Sequence, residues 1–255
     1  AAGTQAASFQ SQMQNVGTLL DGDVQGKLQG MSKQLKQVSI DTGAATSDLT
    51  DGLYQVVSAF GESAESVKQL EIAAKAAKAG NATTTDSVNM LSAVTKGYGD
   101  TSAAALQKAS DLAFLTVKLG QTSFPELASS MGQVVPLAAT MKVSQEELFG
   151  AMATLTGVTG GTAEVTTQLR ATMQEFLSPS SQMEKALKKM GYTSGAAALE
   201  SEGLGGILTK LKESVKGDEV AFANLFSSIE SKNAVLALTG AQADAFAEKT
   251  AAMGE

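Results

Sequence analysis

The sequence predicts an all-α protein: a multi-helix array of short helices joined by glycine turns, with a longer, interrupted helix at the N-terminal end. Three observations carry this. Ala, Leu, Lys, Gln, Glu and Met, all good helix formers, dominate the chain. Apolar residues recur at steps of three and four, whereas the alternation of a half-buried strand is nowhere sustained. Gly, Asn, Ser, Thr and Asp cluster at roughly every 12–20 residues, which sets the helix lengths. At 255 residues the chain suffices for one large domain or two small ones. Apolar residues make up 43% but aromatics only 5%, with no Trp, so the core is expected to be Ala, Leu, Val and Met.

Residues 1–44 read as an N-terminal helical, coiled-coil-like segment. Phe9, Met13, Val16 and Leu20 form one seam, and Leu28, Met31, Leu35 and Val38 a second, offset across Val24. Gly22, Gly26 and Gly30 fall between and within these seams. Each interior glycine costs a helix roughly 1 kcal/mol relative to Ala, so the helix is expected to weaken or break here.

Residues 45–195 read as a core of shorter helices. The first covers 47–60 and ends at Gly61. The second, 64–79, carries Val67, Leu70, Ala74 and Ala77 on one face and stops at Gly80. A third, 85–96, follows the cap-rich "NATTTD". The fourth, 101–119, carries Ala105, Leu106, Leu112, Leu115 and Leu119 and closes at Gly120. Ser123 and Glu126 form a capping box opening 124–140, with Pro125 in the first turn. Pro136 is expected to kink or finish that helix. Ser144 with Glu147 opens 145–156, and Ser181 with Glu184 opens 182–190, which stops at Gly191. Residues 196–255 read as a C-terminal helical extension. Its short segments are 194–200, 205–216, 219–230, 232–239 and 241–253, and helices so short depend on packing against neighbours.

Composition excludes several chemistries. With neither His nor Cys, the chain has no Ser-His-Asp or Cys-His catalysis, no disulfide framework and none of the commonest zinc ligands. The formal net charge is −7, the lysines are scattered and Arg170 is the one arginine, so no specific nucleic-acid binding is expected. No apolar stretch approaches the roughly 18 residues of a spanning helix, so no membrane segment is expected. No charged-then-apolar leader opens the chain, so no signal peptide is expected. Both ends read as helix, as in a piece of something longer.

The remaining chemistry-like motifs have plainer readings. "GVTGGTAEV" (157–165) has the glycines of a phosphate loop but no Lys after Gly161 and a helix before it. A helix–helix corner is expected, with the glycines at positive φ, Thr162 capping the next helix and Glu164 near its positive end. "DGDVQGKLQGMS" (21–32) places Asp21, Asp23, Gln25, Gly26 and Leu28 in the register of a calcium loop. The twelfth residue is Ser32, so the bidentate carboxylate is missing. Glu200, in "LESEGLGG", and Asp218 are the acids a hydrolase reading would use. The adjacent pairs Glu146–Glu147 and Asp218–Glu219 diverge by about 100° on a helix and suit first turns instead. Met131, Met141, Met152, Met173, Met183 and Met190 are expected to fill the core, and Arg170 to be a solvated surface residue. No catalytic, cofactor-binding or metal-ligating residue is assigned, and no cofactor is expected.

Ordered pieces of the chain resemble the conserved N-terminal core of phage tail tape measure proteins. They are "LEIAAKAAKAGNATTTDSVNMLSAVTKGYG" (70–99), "ALQKASDLAFLTVKLGQTSFPELASSMGQVVPLAATMKVSQEELFGAMATLT" (105–156), and the glycine turn whose helix carries Leu169 and Arg170. "FLSPSSQMEKALKKMGY" (176–192) adds Leu177, Pro179, Leu187, Met190 and Gly191. Together they cover about residues 45–195. Lys142 stands where such proteins commonly have Gly before the Val, which should lose a flexible turn but keep the fold. The resemblance implies a structural component of a phage or phage-derived tail. Such a module acts in tail assembly and length determination and later leaves through the tail tube. Its place would be the virion tail, after assembly in the bacterial host cytoplasm. Its partners would be copies of itself and the tail tube, tail-tip or baseplate, and tail assembly chaperone proteins. It would not be an enzyme. A second reading is a membrane-active helical protein at the host envelope, which would call for basic, aromatic-edged helices that this chain scarcely has.

Overall fold

The computed structural model describes residues 2–255, with side chains from residue 6 onward. Among the described residues there are fourteen helices: α1 (Ala2–Gly17), α2 (Val24–Thr42), α3 (Thr46–Phe60), α4 (Ser66–Ala79), α5 (Thr84–Tyr98), α6 (Ala103–Leu119), α7 (Phe124–Thr140), α8 (Gln145–Leu155), α9 (Thr162–Leu177), α10 (Ser181–Lys189), α11 (Gly195–Ser214), α12 (Glu219–Ala223), α13 (Ile229–Thr239) and α14 (Ala243–Met253). The chain is all-α, as its composition and periodicity predict. It divides into two compact units, Ala1–Asp111 and Leu112–Glu255, so the boundary falls inside α6.

In the first unit α3, α4 and α5 pack on one another, α1 lies on α3, and α2 lies on α4. The N-terminal helix is interrupted, at residues 18–23. The glycines at 26 and 30 stay inside α2 because Asp23 caps it, its carboxylate accepting from the Gly26 N–H at 3.1 Å. Both seams are used: Met13, Val16, Leu20, Leu28, Met31, Leu35 and Val38 are all buried. Polar ties fix the helix ends. The Asp48 carboxylate accepts from the backbone and hydroxyl of Thr84, joining α3 to α5. Gln69 donates to the Thr101 carbonyl at 2.9 Å, tying α4 to the start of α6.

In the second unit α8 is the central helix. Every residue from Leu148 to Leu155 is buried, so the helix is covered on all sides, and α14, α13, α9 and α11 pack around it. Gly150 admits α14 closely: a Cβ there would lie 2.5 Å from Thr250 Oγ1 and 3.0 Å from its Cα. Across this contact Lys249 donates to the Ala153 carbonyl at 3.0 Å, and burial pushes its ammonium below its ordinary range. The few aromatics are spent here. Phe114 stacks on Phe124 at 5.0 Å, and Phe226 meets Phe176 and Phe222 edge-on at 6.2 and 5.5 Å. Met131, Met141, Met152, Met173 and Met183 are buried as expected; Met190 is only half-buried.

Two local expectations are kept and two are corrected. The helix α7 runs Phe124–Thr140, the expected range, with Pro136 about one turn before its end. The cap of α10 is Ser180, not Ser181; Ser180 accepts from the Met183 N–H and donates to the Leu225 carbonyl, which fixes the earlier start. The two segments expected over 194–200 and 205–216 are found within Gly195–Ser214, separated by a kink at Gly203 (φ +72°, ψ 173°). The helix expected over 219–230 ends at Ala223, because the following residues turn to bring Phe226 inside and to hand two backbone N–H groups to Glu175.

Candidate functional site

The glycine turn at 157–161 is a closed corner between α8 and α9. Gly157 donates to the Gly160 carbonyl at 2.9 Å, while Val158 and Thr159 both donate to the Leu155 carbonyl, at 2.9 and 3.0 Å. Three successive amides are thus consumed by the turn itself, whereas a phosphate cradle needs them pointing outward. Gly157 is at φ +78°, and a Cβ there would lie 2.2 Å from Gln121 Oε1. Gly161, expected at positive φ, is instead at −75° and is the cap residue of α9. Thr162 therefore does not cap. It is the first helical residue, buried, and its hydroxyl shares a 2.7 Å hydrogen bond with Thr122.

Around this turn the hydroxyl and amide groups pair off. Thr156 Oγ1 donates to the Met152 carbonyl at 2.8 Å and accepts from the Gln121 N–H at 3.1 Å. Gln168, buried on α9, accepts from the Thr159 hydroxyl at 2.7 Å and donates to the Thr159 carbonyl at 3.0 Å. The arrangement fixes the α6–α7 and α8–α9 loops together and leaves none of these groups poised for chemistry.

A second polar centre was not foreseen. Glu175, buried on α9, accepts from the Ser227 N–H at 2.6 Å, the Ser228 N–H at 2.8 Å and the Ser231 hydroxyl at 3.2 Å. A carboxylate at the positive end of α13 anchors that helix onto α9. The available signal was spacing. Gln168, Thr172 and Glu175 lie on one stripe of α9, and all three are buried.

The other chemistry-like motifs are dispersed. Residues 24–32 run as helix, so they do not wrap into a twelve-residue ion loop, and Asp23 is engaged at its cap. Glu200 is exposed, and Asp218 caps α12 by accepting from the Ala221 N–H at 2.8 Å. Glu147 leaves its neighbour and accepts from the Gly205 N–H at 3.2 Å, bracing the bend in α11. Arg170 is exposed and makes no ion pair among the described residues. Among the described residues no helix is long and apolar enough to cross a membrane.

What the two units offer, then, is packed helices and braced corners. Residues 32–245, from within α2 to the first turn of α14, match the model of the phage-related minor tail proteins. The chain belongs to that family. Over 257 aligned residues, 97% of this chain, it is also 25% identical to a probable tape measure protein of Clostridium phage phiCD119. The chain spans about 27% of the length of that relative. No solved structure matches. The match contains the whole of the stretch, about 45–195, that resembles tape measure proteins. As a phage-related minor tail protein the chain is a structural component of the virion tail.

Proposed function

We propose that this chain is a helical assembly module of a tape measure protein, acting in tail assembly and length determination and in later release through the tail tube. The observation that carries the reading is the similarity to a probable tape measure protein across 97% of the chain. In this reading residues 45–195 are the tape-measure-like core, and 1–44 and 196–255 are its helical flanks. The module performs no covalent chemistry. It binds copies of itself and the tail tube, tail-tip or baseplate, and tail assembly chaperone proteins, and it assembles in the host cytoplasm.

Length-setting is physically simple for an extended chain, although this stretch alone makes a short ruler. At 1.5 Å per residue, 255 residues in continuous helix reach roughly 380 Å. Length would then report on residue count, and excising residues should shorten the ruler. The test is an in-frame deletion of residues 100–120 in the phage gene, followed by electron microscopy of the particles. Shortened or absent tails are expected. Tails of unchanged length and number would overturn the reading.

A further inference from the structure

A crevice of about 620 Å³ runs between α1 and α2 in the first unit. The two helices are antiparallel. Gly17 sits against Leu28, and eight residues further along each helix Phe9 lies beneath the Lys36 ammonium at 5.8 Å. Phe9, Met13 and Leu28 form the apolar floor, with Phe9 half-exposed. Gln10, Gln14, Gln25 and Gln29 stand along the rim. Among the described residues none of these four carboxamides has a hydrogen-bond partner, and Lys33 has no ion pair.

The chemistry of this lining is one-sided. In a chain of net charge −7 its charged members are Lys33 and Lys36, and no carboxylate among the described residues lines it. Lysine only donates, and each glutamine has two donors free to turn outward. Such a surface is complementary to carboxylates. The groove between two packed helices also has the shape that takes a third helix, whose apolar residues seat between the ridges. Two lysines are too few to track a phosphate backbone, which needs a longer basic stripe.

We propose that this crevice receives an acidic amphipathic helix of a partner protein. Its apolar face meets Phe9 and its carboxylates meet Lys33, Lys36 and the rim glutamines. The inference rests on the lining alone and does not depend on the tape measure reading.

The test uses the whole chain and a fluorescent amphipathic peptide of Leu, Glu and Ala, about five turns long, followed by anisotropy. Saturable binding that weakens with salt is expected. The double variant Lys33→Glu with Lys36→Glu should bind about tenfold more weakly. The same variant should gain affinity for a matching peptide with Lys in place of Glu. Both lysines are exposed, so circular dichroism of the variant should be unchanged. Equal binding of acidic and basic peptides by the unaltered chain would overturn the proposal, as would indifference to the charge reversal. A single-stranded oligonucleotide that binds through the same lysines while the acidic peptide does not would also overturn it and assign them to phosphate.

Discussion

Lys142 occupies a backbone position that suits glycine. It follows α7 at φ +62°, in the left-handed region, where its Cβ crowds the backbone. The turn that glycine would have made flexible is kept, and the lysine is strained to keep it. Lys142→Gly should therefore raise stability by about 0.5–1 kcal/mol, measured by urea denaturation. Gly157 and Gly161 test the opposite case. Gly157→Val meets both the positive φ and Gln121, and should cost about 1–3 kcal/mol. Gly161 has ordinary φ and nothing within 4 Å of an added Cβ, so Gly161→Ala should cost less than about 1 kcal/mol in the same titration. Glu175→Gln keeps the volume but removes the charge and places an amide donor among donors. A loss of about 1.5–3 kcal/mol is expected.

At the scale of elements, the contact of α8 with α14 depends on the missing side chain of Gly150. Gly150→Val would push against Thr250 Cα, a backbone atom that cannot swing aside. The expected result is a loss of about 1–3 kcal/mol and faster limited proteolysis within α14. Helix boundaries set by neighbouring residues were legible in the sequence. The helix α3 ends at Gly61, α4 at Gly80, and Ser123 and Ser144 cap α7 and α8 where their capping boxes lie. The misreadings came where a distant partner decides. Ser180 outcompetes Ser181 because the Leu225 carbonyl lies beside it, and 219–230 breaks because Glu175 waits for Ser227 and Ser228. The closed corner at 157–161 was legible as a corner. Which of its glycines needed positive φ was not, because that follows from Gln121 and Thr122 on another loop.

For the whole molecule, the division inside α6 separates two cores with different support. In the second unit α8 and α9 are covered by α11, α13 and α14, which together begin at residue 195. A chain truncated after residue 195 should therefore bind a hydrophobic dye and lose cooperative thermal unfolding of that unit, as read by calorimetry. Retention of a sharp transition with no dye binding would show that 112–195 stands alone. The closure of α14 over α8 also has a kinetic side. Lys249 and Ala153 meet across 96 positions of sequence. During translation, the buried central helix of this unit thus leaves the ribosome long before its cover is made. Until then it is open to aggregation or to a holdase, and the pace of synthesis over that interval becomes part of how the protein reaches its native state.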